Sequence, residues 1–155
     1  MGMSDYMRAV RARAGHDLLL LPAVSAVVVD VAGRVLLHRA VDTGNWHTIG
    51  GVLEPGEAPA AAAVREVFEE TGVTAVVERL VGVYTTPEVR YPNGDLTMYV
   101  VTTFRCRPVA GEPIVNDDES LEVRYFAPDE LPTLRPDQAL RVAHALADCE
   151  AYFEL

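Results

Sequence analysis

Residues 51–73 read GVLEPGEAPAAAAVREVFEETGV. Gly50, Gly51, Pro55 and Gly56 interrupt any regular element, so the start of this stretch is a loop. Pro59 suits a first helical turn, Ala60 to Ala63 are the strongest helix formers, and Gly72 is placed to end a helix in the left-handed conformation. The stretch therefore predicts a glycine-rich loop running into a helix over about residues 58–71. On that helix Glu66, Glu69 and Glu70 stand at i, i+3 and i+4 and project from one face. Ala61, Val64, Val67 and Phe68 supply the apolar side expected to pack on a core.

The acidic face sits in the last turns, where the helix dipole already disfavours negative charge. Like charges at i,i+4 cost a further ~0.2–0.5 kcal/mol per pair, and Arg65 neutralises only one of them. Such self-repulsion is explained if divalent cations occupy the cluster, because carboxylate oxygens are the ligands that Mg²⁺ and Mn²⁺ prefer. A solvated acidic helix face would account for the Glu-Glu pair alone. It leaves the loop glycines, Glu57 and Arg65 at their offsets unexplained.

Nine positions, Gly51, Glu57, Arg65, Glu66, Val67, Glu69, Glu70, Gly72 and Val73, follow the spacing G-x5-E-x7-R-E-U-x-E-E-x-G-U, where U is a bulky aliphatic residue. The chain thereby resembles the Nudix hydrolases of the MutT type. The resemblance implies a Nudix fold, an α/β/α sandwich on a mixed β-sheet, across about residues 18–151 of a single domain occupying 1–155. It also implies hydrolysis of a nucleoside diphosphate linked to another moiety, by attack of water on phosphorus. Glu66, Glu69 and Glu70 would hold Mg²⁺ (or Mn²⁺), with the carbonyl of Gly51 or Gly50 completing the shell. Glu57 and Arg65 would stand behind them, Arg65 fixing a carboxylate rotamer. For the general base the alternatives are Glu69, Glu70 and a glutamate from the loop 116–120, NDDES, where Glu119 comes first; Glu122 follows it. Substrate contacts are expected from Arg39 and His38 at a strand end, from Trp46, and from the Tyr91–Asp95 loop. Family members usually carry a proline before the Gly-Gly pair, where this chain has Ile49. Homodimers are common among related proteins, so a homodimer is expected.

The chain has 155 residues, half of them hydrophobic, enough for one domain with a substantial core. A net charge of −10 argues against an extended nucleic acid or an anionic membrane as partner. It would also repel a polyphosphate unless cations reversed the sign locally. Cys106 and Cys149 have no ligand spacing and indicate no disulfide framework. The longest apolar run, residues 18–29, is too short to span a bilayer. Arg8, Arg11 and Arg13 before it, with Val24-Ser25-Ala26 within it resembling a cleavage site, suggest a signal peptide. Asp5 and Asp17 in the basic region, and loss of a core strand on cleavage, favour a cytoplasmic protein.

Elsewhere, residues 4–14 predict a helix opened by Ser4, its basic face solvated in preference to contacting a subunit. Strands are expected at 17–21 and 23–31, broken by Pro22, and at 34–40, 73–85, 96–109 and 121–126. Asn93-Gly94 centres a hairpin, and residues 129–132 suggest a helical turn before a closing helix over 136–151. A nucleotide-sensing module without turnover is the competing class; the intact Glu66, Glu69, Glu70 set speaks against it. An interaction scaffold would need a basic or low-complexity segment, which the sequence lacks.

Overall fold

A computed structural model describes residues 4–154. Its elements run α1 (Asp5–Ala14), β1 (Leu19–Val28), β2 (Val35–Ala40), β3 (Trp46–His47), α2 (Pro59–Thr71), β4 (Thr74–Thr85), β5 (Val89–Arg90), β6 (Leu96–Ala110), β7 (Ser120–Phe126), α3 (Pro136–Leu146) and β8 (Tyr152–Phe153). The larger sheet has five strands in the order β1-β6-β4-β8, with β5 paired to β6. It is mixed: β1 lies parallel to β6 and β8 parallel to β4, while β4 and β6 are antiparallel. A separate antiparallel sheet, β3-β2-β7, completes the architecture, so two sheets stand where one was expected.

Alternation along β1 divides the core. Val24, Ala26 and Val28 pack with Ala62, Ala63 and Val67 of α2, whereas Val27 and Val29 pack with Val142 and Ala145 of α3. Two helices thus cover opposite faces of the larger sheet, the α/β/α sandwich that the box implied.

Pro22 does not break β1. The strand is an edge strand, where a missing N–H is tolerated, and Pro22 contributes its carbonyl to the Leu53 N–H at 3.2 Å. β4, expected at 73–85, is one continuous strand with three register shifts against β6. The expected helical turn at 129–132 is only a turn.

The closing helix is shorter than expected. Arg79, from β4, donates to the carbonyls of His144, Ala145 and Ala147 at 2.9, 3.1 and 2.6 Å, and Arg105 donates to Ala145 at 2.8 Å. These guanidinium groups satisfy carbonyls that a longer helix would have used itself. The released chain then adds β8 to the sheet edge beside β4. No helix among the described residues is long and apolar enough to cross a membrane.

Candidate active site

The loop before α2 is fixed to the edge of β1. Ala26 N–H donates to the Ile49 carbonyl at 2.8 Å and Val24 N–H to the Gly51 carbonyl at 2.9 Å. Ile49 is fully buried in the α2-side core. The position where family members usually carry proline is therefore an apolar anchor for the loop. Gly50 is required by close approach, since a Cβ would lie 2.2 Å from the Val24 carbonyl oxygen, whereas a Cβ at Gly51 would meet the flexible end of Glu66, 2.2 Å from Oε1.

α2 begins at Pro59 after Ala58 and ends on Gly72, whose φ of 68° is left-handed and whose N–H returns to the Phe68 carbonyl. Its buried face differs from the expected one. Ala62, Ala63, Val67, Glu70 and Thr71 are buried, whereas Ala61 and Phe68 are exposed and Val64 is half-buried. The helix is rotated so that Glu70 points inward, not onto a solvent-facing acidic stripe.

Glu70 Oε1 accepts the Gly50 N–H at 3.2 Å. Its Oε2 lies 3.4 Å from His38 Nδ1 yet has no hydrogen-bond partner, because His38 Nδ1 is engaged with Ser120 Oγ at 3.0 Å. Burial, then the charge of Glu66, pushes the Glu70 carboxyl well above its ordinary range. Burial likewise raises Glu66, against the opposing pull of Arg65. His38 is driven down to about 4, first by burial and then by His47, so it stands neutral beside Glu70.

Arg65 organises the other carboxylates. It forms a bidentate pair with Glu57, Nε to Oε1 at 2.7 Å and Nη2 to Oε2 at 2.9 Å, while Nη1 donates to Glu66 Oε1 at 2.8 Å and Glu69 Oε2 at 2.9 Å. Glu57 is held below its ordinary value, chiefly by these bonds.

Among the described residues no three Asp, Glu, His or Cys side chains already form a cation cage. Arg65 Nη1 bridges Glu66 and Glu69 instead. The donor set nevertheless fits a hard divalent cation: a buried carboxylate oxygen without a partner, two further carboxylates beside it, and the loop carbonyls. The Gly51 carbonyl has one lone pair committed to Val24 and one left.

Part of this set borders a cavity of about 740 Å³, whereas Glu57, Glu69 and Glu70 stand behind its wall. Arg65, Glu66, Gly50, Gly51, His38 and Glu119 reach its wall. Tyr91 lines it as well, while Arg39 and Trp46 do not. Arg39 is exposed and donates to the Gly44 carbonyl at 2.9 Å. Trp46 packs edge-on against Phe126 at 4.7 Å with Arg124 over its ring. Glu122 pairs with Arg124 at 3.6 Å and is also away from the cavity.

Two parts of the wall had no signal in the sequence. Gln138 of α3 accepts the Thr48 N–H at 3.1 Å and meets His47 Nδ1 at 2.9 Å, tying the pre-box loop to α3. Arg11 and Met7 of α1 also line the cavity, although the basic face of α1 was expected to be solvated. Long-range pairing of Arg11 with Asp95, Leu96 and Thr97 draws the helix to the cavity, and local periodicity carries no trace of that pairing.

The glycine loop and the capped helix hold a carboxylate cluster beside the cavity, and similarity to proteins named as pyrophosphatases and diphosphatases makes this chain a hydrolase acting on acid anhydrides of phosphorus. Residues 19–149 match the model of the NUDIX domain. The chain belongs to the Nudix hydrolase family. It is 38% identical over 125 residues to a MutT-like protein of Streptomyces ambofaciens, covering 80% of this chain and 75% of that one. It is 32% identical over 126 residues to an ADP-ribose pyrophosphatase of Methanocaldococcus jannaschii, covering 79% and 72%. Among solved structures, a UDP-X diphosphatase superposes with a TM-score of 0.67 at 25% identity, over 94% of this chain and 70% of that one. A MutT NUDIX hydrolase from Burkholderia pseudomallei gives 0.64 at 27% identity, over 81% and 98%.

Proposed function

We propose that the protein is a divalent-cation-dependent pyrophosphohydrolase of small nucleotides, cleaving the diphosphate of a nucleoside diphosphate linked to another moiety. The observation that carries this is the buried, partnerless Oε2 of Glu70, beside Glu66 and behind a cavity large enough for a nucleotide. A buried anionic acceptor without a donor is unfavourable in a resting protein and useful to one that takes up a cation. Glu66, Glu69 and Glu70, with the carbonyl of Gly51 or Gly50, would hold Mg²⁺ or Mn²⁺. When bound, such a cation neutralises non-bridging phosphate oxygens and acidifies a coordinated water. Arg65, braced on Glu57, positions Glu66 and Glu69.

Glu119 is assigned the proton from the attacking water, with Glu69 or Glu70 as the alternative bases. Its backbone carbonyl accepts the Val41 N–H at 2.8 Å, fixing the loop to the end of β2, and the residue lines the cavity. The P–O bond to the bridging oxygen breaks as the water oxygen bonds to phosphorus, giving two phosphorylated or phosphate products. Glu119→Gln is expected to lower kcat by ~10²-fold while Mg²⁺ affinity, read by calorimetry, stays within a factor of a few. An unchanged rate would return Glu119 to the role of a loop residue.

The net charge of −10 disfavours extended nucleic acids as substrates. A cytoplasmic site of action is supported by the burial of Val24-Ser25-Ala26 within β1. The test of the whole reading is a phosphate-release screen with Mg²⁺ and with Mn²⁺. It covers nucleoside triphosphates, ADP-ribose, nucleotide sugars and dinucleoside polyphosphates, with phosphatase coupling for monoester products. A hit that vanishes without the cation supports the reading. Silence across the panel with tight nucleotide binding points to a sensor and removes it.

A further inference from the structure

The cavity does not end at the carboxylates. It continues along one face of the larger sheet, over Leu21 and Val101, until it passes beneath α1. That helix lies outside residues 19–149, so the shared domain of the family does not include this wall.

α1 is firmly seated. Arg11 Nη2 donates to the Leu96 carbonyl at 2.8 Å and to Thr97 Oγ1 at 2.7 Å, Nη1 donates to the Asp17 carbonyl at 2.8 Å, and Nε lies 3.4 Å from Asp95. Both charged side chains are only 9% exposed. A buried guanidinium is tolerable only when so fully satisfied, and here its partners all come from outside α1. His16, just after the helix, adds a second contact to Asp95 at 2.7 Å.

The residue this seating presents to the cavity is Met7, 8% exposed and the one buried residue of α1. Opposite it the wall includes Leu21, Val101 and Tyr99, whose hydroxyl is engaged with that of Tyr91 at 2.7 Å. Burial and the Tyr91 hydroxyl push the Tyr99 phenol upward, so it stays neutral. Elsewhere the cavity is lined by Glu66 of α2, by Glu119 in the loop before β7, and by Arg135 and Arg141 at the start of α3 and within it. Arg11 and Asp95 line the slot under α1 as well, but they are paired with each other, so Met7, Leu21, Val101 and Tyr99 are the surfaces it offers to an uncharged group of the ligand. A thioether and a phenol ring are good neighbours for a flat aromatic one.

Resting on the nucleotide reading above, we propose that Met7 and Tyr99 grip the nucleobase of the substrate, so that a helix outside the shared domain sets substrate choice. Calorimetry on the full chain tests this with AMP, GMP, UMP and CMP against ribose 5-phosphate, which lacks the base. Wild-type protein is expected to bind at least one nucleotide more tightly than ribose 5-phosphate. Met7→Ala should weaken that nucleotide about tenfold and ribose 5-phosphate less than about twofold, as loss of part of a buried methionine contact implies. In turnover the same variant should raise KM about tenfold with a much smaller change in kcat.

Equal weakening of both probes, no weakening, or no preference of the wild type for any base overturns the proposal. If Met7→Ala melts early, Tyr99→Leu replaces it, since it keeps apolar volume and removes the ring. The same base-selective loss is expected, and full nucleotide affinity in that folded variant overturns the grip. Binding is read without turnover, so the two readings fail separately. A base-selective loss in a protein that hydrolyses nothing removes the hydrolase and leaves the grip. Turnover with no base-selective loss does the reverse.

Discussion

Glu70→Gln should lower turnover by about 10²–10³-fold while leaving the fold intact. The loss follows from charge. Glu70 offers the buried oxygen that has no protein partner, and replacing the carboxylate by an amide removes the anionic donor from that position. Several kcal/mol of transition-state stabilisation go with it, at about 1.36 kcal/mol per tenfold. Stability should move the other way. Burial and Glu66 already make the charged form of Glu70 unfavourable, and the glutamine oxygen can still accept the Gly50 N–H. Unfolding is therefore expected at the same temperature or slightly higher, with Mg²⁺ no longer raising it. Near wild-type turnover in a folded Glu70→Gln protein would remove Glu70 from the site.

The same local chemistry explains what could be read from the chain beforehand. Residues 51–73 carry their own start and stop, Pro59 and Gly72, so the helix was legible to within one residue at its start and at its end. The rotation of that helix was not. Val64 and Phe68 look like core residues by composition, yet the face of the larger sheet receives Ala62, Ala63 and Val67, and burying Glu70 follows from that docking. Periodicity specifies a stripe, and tertiary packing decides which neighbouring stripe is used. Strand lengths failed for related reasons: Pro22 is harmless only because β1 lies on an edge, and α3 stops only because Arg79 and Arg105 reach its carbonyls. Of the expected substrate contacts, Tyr91 faces the cavity because its hairpin folds back on β6, whereas Trp46 is consumed by Phe126.

Long-range pairing also gives the N-terminal helix a pH signature. Asp95 is held below its ordinary value of 3.8, first by the hydrogen bond to His16, with Asn93 and Arg11 adding to it. A depressed carboxyl contributes stability that is complete above its unfolded pKa and fades as pH falls through the folded one. Wild-type protein should therefore exceed Asp95→Asn in stability near neutrality. That difference should shrink below about pH 4, as the carboxylate takes up its proton in both states. Denaturant melts of the two proteins at stepped pH measure it, and a gap that persists unchanged to low pH would show that the charge of Asp95 contributes nothing.

Gly51→Ala reaches the carboxylates of the site through the loop, without removing any of them. An added Cβ would stand 2.2 Å from Glu66 Oε1 and 2.6 Å from its carboxyl carbon, so something must move. The backbone at Gly51 is held by the Val24 N–H, and the backbone φ there is one that alanine can adopt. The flexible end of Glu66 is the part that gives way. Its displacement also disturbs the bond from Arg65 Nη1, which Glu66 shares with Glu69. The fold should lose little, whereas turnover should fall by about 10–100-fold, the loss typical when the partners that orient a ligand are disturbed. Raising Mg²⁺ should recover part of the rate, because the carboxylate is misplaced rather than absent, and it should recover none in Glu70→Gln. Full activity in Gly51→Ala would mean that Glu66 tolerates a new position. A large fall in melting temperature would mean that the loop, not the carboxylate, is the rigid partner at this contact.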